Sequence, residues 1–230
     1  MIVTNYETET FSPIFYSSVE GSYISTGDII SSTALTFAIA YQFDYLKERY
    51  ILKGNDAITH NYEILSGIPI FVTDATPKLV NHTGIEFRSL GLMSERSMVT
   101  RDITEKIMGK GPGYKQQRQY SGIDFGSKHE VSIISDKNLP DEFLLNIGIR
   151  RSGEVRFRKT MKDPEEVTLN YYLLEEIYNY DKDTLFEIAK SSSGIEMFSD
   201  FRLKHIVGVP YNIFEEKVVK FWVDKWASHL

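Results

Sequence analysis

Apolar and polar residues alternate in short runs along most of this chain, and one long stretch near the start switches to helical spacing. Ile2 to Thr10 is rich in β-branched residues and holds Tyr6, which predicts an N-terminal strand. Pro13 then interrupts regular pairing in Phe11-Ser-Pro-Ile-Phe-Tyr. A helix is predicted from about Ile29 to Lys47, where Ile30, Ala34, Phe37, Ala38, Tyr41 and Tyr45 recur at helical intervals and Asp28 can cap. Leu35 and Ile39 lie off that stripe, so the helix is expected to be covered on more than one side.

Further strands are predicted from Ile68 to Thr73 and Ile85 to Leu90, with a turn at Pro77 between them, and from Val131 to Ser135 and Phe143 to Ile149. Met93 to Tyr120 has little periodicity and reads as a long loop or inserted arm. Leu169 to Ile177 is ambiguous between strand and helix, and Thr184 to Lys190 reads as a short helix with Asp183 as its cap. His205 to Val209 is an apolar strand stopped by Pro210. Lys217 to Trp226 closes the chain as a strand or helix; in a helix Trp222 and Trp226 would share one face, in the core or at a subunit interface. This order points to an α+β fold, best matched by a ferredoxin-like split βαβ core with an antiparallel sheet and extra C-terminal strands. At 230 residues the chain reads as one domain, 1–230, with an inserted arm at 93–120.

Charge changes the picture at one place. From Gly148 to Lys159 the chain reads Gly-Ile-Arg-Arg-Ser-Gly-Glu-Val-Arg-Phe-Arg-Lys, in a protein of net charge −6. Arg150, Arg151, Arg156, Arg158 and Lys159 face a single local acid, Glu154. Ser152-Gly153 can turn the chain, and Val155 and Phe157 alternate with Arg156 and Arg158 on the return. Such a hairpin spaces arginines at strand pitch and suits a run of phosphates; alternatively it is an edge strand whose charges deter pairing. Arg101 to Arg118 is also basic, whereas Asp163 to Glu187 is strongly acidic, a division that suits a subunit touching nucleic acid on one side and protein on the other.

Several classes of chemistry are excluded or weakened. There is no cysteine, hence no disulfide, thiolate metal site or cysteine nucleophile. The N-terminus has no signal-peptide character, and no apolar run approaches the roughly 20 residues a membrane helix needs. A soluble cytoplasmic protein is expected, with no membrane contact. Gly109 to Tyr120 superficially resembles a phosphate loop but fails the Walker pattern, since neither Lys110 nor Lys115 is followed by Ser or Thr at the required spacing. It leaves Lys110, Lys115 and Arg118 interleaved with Tyr114 and Tyr120, a composition suited to single-stranded RNA or to a plain surface loop.

The histidines at 60, 82, 129, 205 and 229 have no metal-ligand spacing, so neither metal nor other cofactor is expected. His129 beside Lys128, with Tyr120 nearby, could in principle run metal-free RNA cleavage. The pairs Glu165-Glu166 and Glu175-Glu176 sit in a charged run and read as a solvated or partner-facing surface.

The length, the segment Ser25-Thr-Gly-Asp-Ile-Ile-Ser-Ser-Thr-Ala-Leu-Thr-Phe-Ala-Ile-Ala-Tyr41 and the Gly148–Lys159 arginine stretch together resemble a CRISPR subunit: the Cas-five-type protein of subtype I-D, the Csc-one family. The resemblance implies a repeat-associated (RAMP), RNA-recognition-like fold and a non-catalytic role. In that role the chain grips the 5′ handle of the CRISPR RNA (crRNA) within a Cascade effector complex that meets target DNA, beside the large subunit and the backbone subunits. It also implies that Met93 to Tyr120 is a thumb-like element against RNA and backbone subunit, and that repeat cleavage belongs to a separate nuclease. Many RAMP proteins carry a glycine-rich loop near the C-terminus; here only Ser191 to Gly194 or Gly208-Val-Pro is available. Two other classes stay open at this point, a metal-independent RAMP endoribonuclease and a protein-only interaction module.

Overall fold

Thr4, Tyr6, Thr8 and Thr10 of strand β1 (Ile2–Thr10) turn to one side of the sheet and are buried, as period-two alternation requires. In the computed structural model β1 is flanked on both edges, by β7 (Lys128–Ser135) and by β9 (Gly153–Thr160), and every pairing in this sheet is antiparallel. The model describes residues 1–16, 23–47, 61–90, 116–148, 153–197 and 204–227. The sheet runs β3-β7-β1-β9-β8, with β3 (Ile70–Val72) and β8 (Glu142–Ile147) at its ends and β4 (Thr76–Leu79) also on β7. Because β1 and β3 both oppose β7, they run parallel to each other with β7 between them and helix α1 (Ser32–Gln42) in the crossover.

Helix α1 packs against β3 and β8, the two ends of the strand order, so the sheet curls around it. Leu35, Phe37, Ile39 and Ala40 are buried, whereas Ala34 is exposed; the covered face is offset from the predicted stripe. The helix also begins later than expected. Ser31, not Asp28, is the cap, its Oγ accepting from the Thr33 N–H. Under α1 the inner face is aromatic: Tyr6 meets Phe143 edge-on at 5.3 Å, Phe143 stacks on Phe157 at 4.8 Å, and Phe43 closes on Phe143 at 5.1 Å.

The outer face is split in two. Around β3 it is covered by the C-terminal helical segment, which runs through Tyr211–Ile213, a π-helical stretch Phe214–Val219 and Lys220–Ala227. Phe71 there contacts Trp222 at 5.4 Å, Tyr178 at 5.7 Å and Phe214 at 6.4 Å, and Asn5 hydrogen-bonds to Ser132 and Tyr211. Lys217 to Trp226 is therefore helix, and Trp222 is a core residue. The rest of the outer face is mainly charged, with Leu144 exposed opposite Arg156.

A second antiparallel sheet, β10-β12-β11, is built from β10 (Glu166–Asn170), β12 (Lys204–Pro210) and β11 (Gly194–Met197), with α2 (Lys182–Ser191) against it. Asp181, not Asp183, caps α2 through the Thr184 N–H at 2.8 Å. Leu169 to Ile177 resolves into the end of β10 and a π-helical turn, Leu173–Ile177. A third sheet, β2-β6-β5, joins β2 (Tyr23–Ser25), β6 (Gln116–Ser121) and β5 (Glu86–Leu90). The stretch expected as loop up to Tyr120 thus ends in a strand; residues 93–115 lie outside the described residues. No helix among the described residues is long and apolar enough to cross a membrane.

The first two sheets meet at a break in the edge of the first. Between β3 and β4 the chain leaves β7: the Asp74 N–H donates to Thr168 O at 2.9 Å and the Ala75 N–H to Ile30 O at 2.9 Å. The Asp74 carboxylate, fully buried, accepts from the Ser32 N–H at 2.6 Å and pairs with His205 Nδ1 at 2.7 Å. Burial opposes charge on the imidazole, but the attraction of the carboxylate and its hydrogen bond outweigh it, so the pKa of His205 lies above its ordinary value.

Removing one partner of a buried pair typically destabilises by about 3–5 kcal/mol, so Asp74→Ala should lower unfolding stability by about that much in urea titrations. The linkage has a definite sign. The His205 contribution is complete below the ordinary value of 6.5 and fades as pH rises through the raised value, a dependence Asp74→Ala should flatten.

Candidate nucleic-acid interface

The β8–β9 hairpin predicted around the arginines is present, in register from Glu142 opposite Arg158 to Ile147 opposite Gly153. Phe143, Leu145, Ile147, Val155 and Phe157 point inward, which puts Arg156 and Arg158 on the outer face with Glu7 and Glu9 of β1. Sequence reasoning assigned this stretch one acid, but the fold supplies more. Arg156 is ion-paired to Glu9 and lies 3.8 Å from Glu142, and Arg158 lies 3.5 Å from Glu142. Lys159, on the opposite parity, reaches Asp141 at 3.4 Å. The ladder continues sideways through Lys128 and Glu7 at 3.7 Å and Lys78 and Glu130 at 2.8 Å. Bases face acids across β1–β9 and β9–β8, whereas Glu7 stands opposite Glu130 across β1–β7, and there Lys128 and Lys78 pair with the two acids.

Exposure separates the cations. Arg156 is only 25% exposed, is held by Glu9 and sits over the Phe11 ring at 4.7 Å, so it ties the hairpin to β1. Arg158 and Glu142 are 59% and 52% exposed. A pair in that setting is worth about 0–1 kcal/mol, little enough for a phosphate to take the arginine over.

The remaining predicted residues divide by place. Arg118 and Tyr120 stand on β6, Arg118 opposite Arg88 of β5 and Tyr120 opposite Glu86. Lys110, Tyr114, Lys115, Arg150 and Arg151 lie outside the described residues. The ends of the connection that carries Arg150 and Arg151 are fixed, however. Gly153 packs so closely that a Cβ there would fall 2.6 Å from Ile14 Cγ1, and Gly122, just beyond β6, would bring one within 2.5 Å of Ile14 O. Ile14 and Ile123 also exchange backbone hydrogen bonds, 2.8 and 3.0 Å. The turn end of the hairpin and the end of β6 therefore converge on one segment, Ile14–Phe15.

His129 is fully buried on the inner face, and its Nε2–H donates to the Asp28 carbonyl at 2.9 Å. Burial drives its pKa down to about 4. Lys128 precedes it in the same strand and points to the other face, toward Glu7, so the two do not converge on a reacting atom. Three acids of 163–187 serve local structure: Asp163 accepts from Asn5, Asp181 caps α2 and Glu175 pairs with Lys182. Glu165, Glu166 and Glu176 are exposed.

The two short segments that might have stood for a glycine-rich loop are neighbours in space. The Ser193 N–H donates to Val207 O at 2.9 Å, and Gly208, at φ +65°, leaves no room for a Cβ against the Ser193 side chain. They border a cleft of about 350 Å³ whose lining includes Asp28, Glu166 and Glu196. Three carboxylates make that end of the molecule a poor place for phosphate.

Neutral burial of His129 predicts an acid limb. Its folded value lies below 6.5, so its contribution is present above that pH and is lost as pH falls toward about 4. The full shift corresponds to about 3 kcal/mol. The difference between wild-type and His129→Gln stability curves, measured by urea unfolding across this range, should show that slope.

Comparison with known proteins bears out the family resemblance. The family model described as type I-D CRISPR-associated protein Cas5/Csc1 matches residues 1–193, from β1 to the residue before β11. No curated protein matches the chain. A match over that much of the sequence settles the family: the chain belongs to the Cas5/Csc1 proteins of type I-D CRISPR systems.

Proposed function

We propose that the chain is a non-catalytic, RNA-binding subunit of the type I-D effector complex. It grips the 5′ handle of the crRNA and joins the large subunit to the backbone subunits in defence against foreign DNA. The observation that carries this reading is the hairpin of a family member whose acids are unevenly placed. Asp141 and Glu142 stand at the open end of β8–β9, beside Arg158 and Lys159, while the connection holding Arg150 and Arg151 leaves from the opposite end, where Glu154 is the strand acid. Arg150 and Arg151 meet handle phosphates, Arg158 and Lys159 extend the track, and Lys110, Lys115, Arg118, Tyr114 and Tyr120 assist from the arm. Arg156, held by Glu9 of β1, supports the track from β9.

The β1–α1–β3 crossover around β7 supports a RAMP-type reading of the core, since it has the split βαβ arrangement. The hairpin β8–β9 stands where a second crossover helix would complete a ferredoxin-like unit. Burial of His129, with its proton-accepting ability turned into the core, supports the non-catalytic assignment over a histidine-based nuclease.

The double substitution Arg150→Ala/Arg151→Ala should leave melting unchanged but reduce recovery of crRNA and partner subunits with the tagged protein. RNA affinity should fall with a shallower salt dependence, by about one unit of log–log slope per lost phosphate contact. Undiminished recovery of short RNAs sharing one 5′ end would remove these two arginines from the interface. A complex purified with protein partners and no RNA would overturn the reading itself.

A further inference from the structure

Phe125 is 60% exposed, yet its backbone is tightly held. It sits in a turn where its own N–H donates to Asp124 Oδ1 at 2.8 Å and the Ser127 hydroxyl donates to Asp124 O at 2.8 Å. Asn81 Nδ2 donates to the Phe125 carbonyl at 3.2 Å. The turn is tied to the end of β1 by Gly126 N–H to Thr10 O at 2.8 Å and Thr10 N–H to Ser127 O at 2.9 Å. Gly126, at φ +77°, makes the left-handed step that a side chain there would strain. A phenylalanine on so fixed a turn is presented to solvent by the fold; no loop motion is needed to expose it.

Its neighbours give the exposed ring a chemistry. Phe125 stacks on Phe11 at 6.4 Å with the planes 28° apart, and the Arg156 guanidinium lies over Phe11 at 4.7 Å. Phe11 follows β1 on the outer-face parity of Glu7 and Glu9, so the aromatic pair borders the charged face that holds Arg156 and Arg158. The hairpin is fastened to the same segment, since the N–H groups of Phe11 and Ser12 both donate to Glu154 O and the Glu154 N–H donates to Ser12 Oγ at 2.7 Å. A lone exposed hydrophobic residue needs no explanation. A preorganised ring, backed by a second ring and a guanidinium and set beside an arginine track, has the composition of a base-stacking platform. A protein-docking surface would be expected to continue into a wider apolar patch; here the ring pair is bordered by Asp124, Asn81 and Arg156, and the exposed Leu144 stands beyond Arg156 as its register partner.

We infer that Phe125, supported by Phe11 and Arg156, stacks one unpaired nucleobase of single-stranded RNA, without reading its identity. This rests on the RNA-binding reading above, and it assigns the site a contact that carries no phosphate charge.

The test uses the full-length protein and a short single-stranded RNA containing a fluorescent adenine analogue whose emission is quenched by stacking. Wild type should quench the analogue at one position of the RNA. Phe125→Ala should abolish that quench and weaken binding about tenfold, the effect of losing one base–aromatic stack. It should leave the salt slope and the melting temperature unchanged, and Phe125→Trp should restore both quench and affinity. If Phe125→Ala binds and quenches like wild type while Arg150→Ala/Arg151→Ala binds weakly, the platform is overturned and the RNA-binding reading stands. If Phe125→Ala keeps its RNA but loses a protein subunit from the assembled complex, the ring is a protein contact and the inference fails. If wild type binds no RNA, both readings fall together.

Discussion

The arrangement of the two larger sheets depends on one buried carboxylate. Asp74 sits where the edge of the first sheet breaks, and it engages three elements: the Ser32 N–H at the start of α1, His205 on β12, and through its backbone Thr168 on β10. Asn170 reinforces the junction by donating to Ser31 Oγ and Thr33 Oγ1, both at 3.3 Å. A carboxylate in this position is tolerable because the Ser32 N–H at the N-terminus of α1 and the His205 imidazole meet its two oxygens. An apolar contact of equal volume could hold the sheets together as strongly, but it would not fix their register. Asp74 therefore has a specifying role: β12 can sit only where His205 meets it.

From that junction the two faces of the first sheet acquire different roles. The inner face is closed by α1, and the outer face is closed by the C-terminal helical segment only near β3, where Phe71 and Trp222 meet. What stays open is the region of β7, β1, β9 and β8 that carries the ion-pair ladder. Covering all of the outer face would have left no solvated sheet surface. The open part also ends in the Ile14–Phe15 segment, where Gly122 and Gly153 let the turn end of the hairpin and the end of β6 approach within a side chain's width.

Local pattern made much of this legible. The hairpin announces itself by alternation, β1 by its β-branched content, β7 and β12 as short apolar runs, and α1 by helical spacing. Even so, β7 is buried on both faces over Val131 to Ser135, and α1 is covered off its predicted stripe. Other elements gave no such signal. β4 contains Pro77, which reads as a turn, and is a strand only because it lies on the outside of β7 where a missing donor is tolerated. β6 begins Gln-Gln-Arg-Gln, with no apolar alternation to betray it, and is a strand because β5 and β2 flank it. The caps were misplaced by a few residues, since Ser31 and Asp181 compete with Asp28 and Asp183 and only backbone geometry decides. The acids that meet the arginines were invisible for a different reason: Glu9 lies 147 positions from Arg156 in sequence. Phe125 carries no signal of its own because an isolated aromatic in a turn has no periodicity, although the Asp-Phe-Gly-Ser run around it is a turn signal.

The ladder also reconciles a net charge of −6 with a proposed phosphate-binding role. Net charge sets the long-range field, which is screened beyond about 8–10 Å at physiological salt; a phosphate in contact responds to the cations beside it. On the outer face Glu7, Glu9, Glu130 and Glu142 are engaged by Lys128, Arg156, Lys78 and Arg158, so much of the acidity is matched strand by strand. Further acids, Asp28, Glu166 and Glu196, gather around the cleft at Gly208, and of these Asp28 meets His82 at 2.8 Å. A molecule built this way attracts polyanions weakly at a distance and holds them only where a cation can exchange its partner. For a subunit proposed to take one RNA end inside an assembly, that balance favours placement by partners and contact geometry over indiscriminate binding to nucleic acid.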